Sequence, residues 1–211
     1  IPAGSRIILN IHFHPTGAGA EVDPGTSIDL KWREDRPTYV AEMALIGNFD
    51  NAPGLHPGPN DGPNAVFEIP ANAEEHTETM SYTVDAGIPD LKLWQVSTHM
   101  HYVGYDMLLD IERSNPGNQP AQECLLHTPN YSFEWQRGYR YDAAFEDLPT
   151  AAAGDTLTMH CKYNNSMSNP YVVEALDDLG LDAPIDVHLG EETLDEMCLG
   201  VYGVAYPNFN P

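Results

Sequence analysis

Apolar and polar residues alternate with a period of two along much of this chain, and helical spacing is scarce. The run Ser27-Ile28-Asp29-Leu30-Lys31-Trp32 alternates strictly, as a half-buried strand should. Residues 6–14 are rich in β-formers and stop at Pro15-Thr16-Gly17. Further strands are predicted over 40–46, 65–69, 77–84, 91–101, 105–112, 121–126, 138–145, 155–163 and 197–204. Turn-forming residues punctuate them, densely over 51–64 and again over 114–118, and 18 prolines with 17 glycines suit many short strands. The one predicted helix, over 170–179, is short and acidic. The pattern predicts an all-β protein, an antiparallel, jelly-roll-like β-sandwich. Two β regions of unequal size are expected, 1–36 and 37–211, with the junction near Arg36-Pro37. No repeat of fixed period is present, although a His-x-His element occurs twice.

Composition narrows the picture. The 211 residues suffice for one large β domain or two smaller ones, and a hydrophobic content of 42% is ordinary for a folded chain. No apolar run approaches the roughly 20 residues of a membrane span. Acidic residues outnumber basic ones 32 to 9, for a formal charge of -23, which argues against nucleic acid or an anionic membrane as partner. The acid is dispersed and reads as the solvated surface of a secreted or salt-tolerant protein. The chain opens on Ile1-Pro2-Ala3-Gly4 and runs straight into strand-like sequence, so it reads as a mature or trimmed piece of a longer precursor. Its three cysteines include no Cys-x-x-Cys, so they make no zinc pattern. Cys161 and Cys198 sit in strand-like segments late in the chain, whereas Cys124 follows a loop. A Cys161–Cys198 disulfide is expected, which implies an oxidising compartment, secreted or periplasmic.

The candidate chemistry lies in histidine and methionine. On a strand, residues i and i+2 share a face, so His99 and His101 would present two imidazoles side by side, with Met100 on the opposite face. By spacing alone this pair, like His12/His14, is more often a packing feature than a metal site. A thioether from a distant segment would complete a three-ligand site with an open position. Nitrogen plus soft sulfur, with no thiolate, suits copper better than zinc, calcium or magnesium. Met197 stands between an acidic pair and Cys198, where a disulfide would hold it firmly. Met107 and Met159 read as core residues, and His56, His76, His127, His160 and His188 as structural polar groups.

Three segments together carry a resemblance. They are His99-Met100-His101 with Gly104, then Cys161-Lys162-Tyr163-Asn164-Asn165, then Gly190-Glu191-Glu192-Thr193-Leu194-Asp195-Glu196-Met197-Cys198. In this combination and order the chain resembles the copper type II, ascorbate-dependent monooxygenases, the family of peptidylglycine alpha-hydroxylating monooxygenase and dopamine beta-hydroxylase. The segment Tyr131-Ser132-Phe133-Glu134-Trp135-Gln136-Arg137-Gly138-Tyr139 looks like the bacterial members. The resemblance implies that His99, His101 and Met197 form the catalytic copper site, where O2 binds and a C–H bond of a small-molecule substrate is hydroxylated, with ascorbate as reductant. It matches Cys161–Cys198 to a family disulfide beside the methionine ligand. It makes His12 a ligand of the family's second, electron-transfer copper and residues 1–36 the end of that copper's domain; His14 has no assigned role.

Two departures bear on this. The adjacent His-His pair of the electron-transfer site is absent, so the N-terminal copper domain is expected either to have been trimmed from this piece or to be a separate chain. The arginine and tyrosine with which the amidating enzyme holds a peptide carboxylate are replaced by Ser97 and Val201, which argues against a C-terminal glycine peptide as substrate. Asp195 and Glu196 are candidates to orient an imidazole, but read more readily as surface or turn residues. The alternatives are a non-catalytic secreted copper-binding or structural β-sandwich module, and an interaction module without metal.

Overall fold

A backbone becomes a strand only where a second segment supplies partners for its N–H and C=O groups, and this condition separates the two parts of the chain. The computed structural model describes residues 4–9, 11, 13, 19–48, 54–192 and 194–209, which fall into two compact units, Ile1–Arg36 and Pro37–Pro211. In the first unit the described residues form no strand. The strands expected over 6–14 and 27–32 are therefore not seen there. Ile28, Leu30 and Trp32 keep the alternation but are exposed, because no other described residues of that unit pair with them. A turn does form where Asp23 accepts from the N–H groups of Gly25 (3.0 Å) and Thr26 (2.9 Å). His12 and His14 lie outside the described residues.

The second unit is an antiparallel β-sandwich. In chain order its strands are β1 (Tyr39–Gly47), β2 (Glu68–Ile69), β3 (His76–Thr83), β4 (Leu91–His99), β5 (Gly104–Glu112) and β6 (Gln122–Thr128). They continue with β7 (Tyr139–Arg140), β8 (Thr150–Ala151), β9 (Thr156–Tyr163), β10 (Val187–His188) and β11 (Leu199–Pro207). One sheet has the order β1-β11-β4-β7, with β8 also on β4; the other has the order β3-β9-β5-β6; β2 and β10 form a small separate ladder. Alternate residues of both sheets point inward to a common core. Leu93 and Val96 of β4 and Tyr202 of β11 meet Met80 of β3, Met107 and Leu109 of β5, and Met159 of β9, all fully or almost fully buried. Each such side chain contributes about 1.5–3 kcal/mol relative to exposure. The long strand expected over 138–145 shrinks to β7 because Tyr141 leaves the ladder. Its N–H reaches Trp94 O only at 3.4 Å, and its hydroxyl donates to Leu125 O at 3.0 Å.

Helix α1 (Pro170–Leu179) has the predicted limits for local reasons. Pro170 suits the first turn, the Asn169 side chain accepts from Tyr171 N–H (3.0 Å), and Gly180 closes the helix at φ 68°. The Asn169 amide also donates to Tyr102 O (3.0 Å) and Asn164 O (2.9 Å), tying the start of the helix to the turn after β4. The expected disulfide is formed. Cys161 of β9 is joined to Cys198, just ahead of β11, so the bond crosses from one sheet to the other; Cys124 is free and exposed. Among the described residues no helix is long and apolar enough to cross a membrane.

Candidate metal centre

The register of β4 against β11 brings the two motifs together. Leu199 lies opposite His99, so Met197 and His101 follow the paired ends of β11 and β4, and the N–H groups of both donate to the Glu196 carboxylate. The strand expected over 91–101 ends at His99, so His99 and His101 are not a same-face pair of one strand. His101 leaves the ladder because its N–H donates to the Glu196 carboxylate instead. The two rings nevertheless finish 5.2 Å apart between centroids and nearly perpendicular, at 82°. Met100, between them, is fully buried on the core side as expected. Tyr131 grips its backbone from both sides: the hydroxyl accepts from Met100 N–H (2.9 Å) and donates to Met100 C=O. Gly104, four residues on, packs where a Cβ would stand 2.6 Å from Met100 Cβ, so the turn closes only with glycine.

Hydrogen bonds fix which imidazole nitrogen is free. His101 Nδ1 lies 2.9 Å from Asp195 O. A carbonyl only accepts, so Nδ1 carries the hydrogen and Nε2 keeps its lone pair. His99 Nδ1 lies 2.5 Å from Gln136 Oε1, and the Gln136 amide is itself oriented because its Nε2 donates to Phe133 O at 2.9 Å. His99 is therefore also an Nδ1–H donor with Nε2 free. Burial lowers the pKa of His101 from its ordinary value, favouring the neutral ring that a metal requires. The ring of Phe133 meets His101 edge-on at 5.9 Å and covers its flank.

Met197 is 9% exposed and held at every backbone group. Its N–H donates to Glu196 Oε1 (2.8 Å), its carbonyl accepts from the Tyr163 hydroxyl (2.9 Å), and the next residue is in the disulfide. Glu196 is the joint between the motifs. It is fully buried, which corrects its reading as a surface or turn residue. Oε1 accepts from the N–H groups of His101 and Met197, and Oε2 from those of Val103 (3.2 Å) and Gly104 (3.1 Å). Burial pushes its carboxyl up to about 8, against the pull of these four donors. Asp195 does form a turn, its side chain accepting from Glu192 N–H (3.0 Å), while its backbone carbonyl orients His101.

The candidate donor set is two imidazole nitrogens and a thioether, a combination that suits Cu(I). Among the described residues no group of three or more His, Cys, Asp or Glu could hold a metal, and a set whose third member is methionine falls outside that description. A scan against protein-family models matches none, and a search of the curated proteins finds no match. The metal reading thus rests on the residue pattern and on the tautomers just described. Gln136 and Tyr131 have no place in a motif-based reading of the site. They belong to a segment singled out for its likeness to bacterial monooxygenases, but only folding brings it to His99. Ser97 donates to Arg137 O (2.8 Å) and so fastens this same segment to β4. The isolated histidines behave as structural groups: His76 is buried against Glu78 (2.6 Å), and His160, facing away from the disulfide, bonds Asp110 (3.0 Å).

Proposed function

We propose that His99 and His101, through Nε2, and Met197, through its sulfur, hold a mononuclear copper ion. On this reading the chain is the C-terminal, catalytic-copper part of a secreted or periplasmic monooxygenase. The reaction is hydroxylation of a C–H bond of a small-molecule substrate by O2, with ascorbate as reductant. Residues 1–36 then end a preceding electron-transfer copper domain, to which His12 contributes a ligand. The observation that carries the reading is that both imidazoles are locked as Nδ1–H donors to oxygen acceptors, the arrangement found around ligating histidines. The disulfide supports an oxidising location.

Copper, when bound, supplies the activation of O2; the chain supplies position. Gln136 and the Asp195 carbonyl set the two rings. Glu196 ties the His101 turn to Met197, and Phe133 shields one flank of the His101 ring from water. The test is a Cu(I) titration against a colorimetric chelator. One tight equivalent is expected for the wild type, with affinity reduced about tenfold or more in Met197→Ile and further in His101→Ala. Equal, weak binding by all three would overturn the proposal.

A further inference from the structure

β6 and β7 are edge strands, one in each sheet, and the connection between them, residues 129–138, borders a cleft of about 300 Å3. Two aromatic rings in its wall stand open to solvent, Trp135 at 63% exposure and Tyr139 at 40%. A single exposed ring is ordinary, but two that share one cleft mark a surface suited to binding. The Arg137 guanidinium lies 4.4 Å from the centroid of the Trp135 ring and steadies the indole from one face. None of His99, His101 and Met197 lines this cleft.

The polar groups of the wall divide into two sets. Thr128 donates to Thr98 Oγ1 (3.2 Å), and Ser132 is bonded to the Tyr171 hydroxyl (3.0 Å), so these are engaged within the protein. The Asn130 side-chain amide, the Tyr139 hydroxyl and the Trp135 indole N–H have no partner among the described residues, and all three residues are exposed. They set donors and acceptors around two apolar rings. No Asp, Glu, Lys or Arg among the described residues lines the cleft, and its one histidine, His127, is engaged by Asp106 (3.2 Å). A charged ligand would therefore be desolvated without a counter-charge, and the net charge of -23 further repels an anion. A purely apolar ligand would strip water from the amide and the hydroxyl without replacing it. A pyranose ring meets both demands: its C–H groups pack on an aromatic ring while its hydroxyls take the place of water on the polar groups. The volume, at the lower limit of small-molecule sites, suits a single sugar ring.

We propose that this cleft binds a neutral pyranose sugar, packed against the rings of Trp135 and Tyr139 and hydrogen-bonded by the Asn130 amide. The site is separate from the copper reading and stands or falls without it.

The probes are the methyl β-glycosides of glucose, galactose and N-acetylglucosamine, with benzyl alcohol as the non-sugar control. Binding to the full chain is read on the ligand by saturation-transfer NMR and on the protein by the indole N–H signals. Trp94, whose indole N–H is bonded to Val204 O (3.3 Å), is the internal reference. A saturable shift of the Trp135 signal is expected with at least one glycoside, while Trp94 stays fixed. Trp135→Ala should weaken that glycoside about tenfold, the worth of one well-packed ring. Asn130→Ala should weaken it about fivefold, the worth of one neutral hydrogen bond. Both positions are exposed, so neither substitution should alter Tm. The proposal is overturned if none of the three glycosides shifts Trp135 saturably, if either variant binds as tightly as wild type, or if benzyl alcohol binds as tightly as the best glycoside.

Discussion

An imidazole can face a metal with the wrong nitrogen, so the residues that matter first at this site include those that touch only the histidines. Gln136 is a positioning residue of this kind. Its amide is held by Phe133 O, and this leaves only its oxygen to meet His99. Gln136→Ala should lower Cu(I) affinity about tenfold to a hundredfold, the usual cost of losing such a partner. Gln136→Glu, whose carboxylate still accepts from Nδ1–H, should restore most of it. A chelator competition measures the affinity, and 15N shifts of His99 report the tautomer. If the alanine variant keeps both affinity and tautomer, Gln136 has no part in the site.

At the scale of elements, the disulfide matters because of what it joins. It links β9 of one sheet to the lead-in of β11 in the other, across 37 residues of sequence, immediately after Met197. A loop of that length is worth about 4 kcal/mol in the chain-entropy account. Reduction should therefore lower Tm and, by loosening the Met197 backbone, weaken Cu(I) binding as well. Thermal unfolding and chelator competition with and without reductant check the two effects. Loss of stability with unchanged affinity would show that Tyr163 and Glu196 hold Met197 unaided.

The legibility of the fold also divides by element. Helix α1 was readable to the residue because its start and stop signals, Pro170 and Gly180, are local. The long strands were readable because each buries one alternating face. The run 27–32 has the same alternation and forms no strand, since pairing depends on neighbours that periodicity does not record. The site was half legible for the same reason. Met197 and the two histidines stand out as residue types, but their joint is Glu196, whose four bonds depend on a turn 92 to 95 residues away as well as on its own neighbour. Nothing in Asp195-Glu196 tells which of the two is buried.

For the whole molecule, the charge of -23 is the dominant fact. Several acids are matched, as in Arg113–Glu123 (2.6 Å) and Lys162–Asp106 (3.5 Å), but 9 basic residues cannot match 32 acids. Folding gathers the excess on one surface at a cost in self-repulsion. Raising the salt concentration from about 10 mM to about 200 mM shortens the screening length from roughly 30 Å to under 10 Å and should raise Tm. Differential scanning calorimetry across that range decides it. A Tm that fell with salt would mean that the surviving ion pairs outweigh the repulsion.

The four N–H groups gathered on the Glu196 carboxylate have a consequence for order in time. Only that of Gly104 belongs to a strand, yet all four donate to a group that water does not reach. In hydrogen–deuterium exchange the amides of His101, Val103 and Met197 should therefore persist like those of the central strands, although they lie in connecting segments. Slow exchange in the metal-free protein would mean that copper enters a cradle already set, with little ordering left to accompany its arrival. Fast exchange would mean that the cradle forms around the metal.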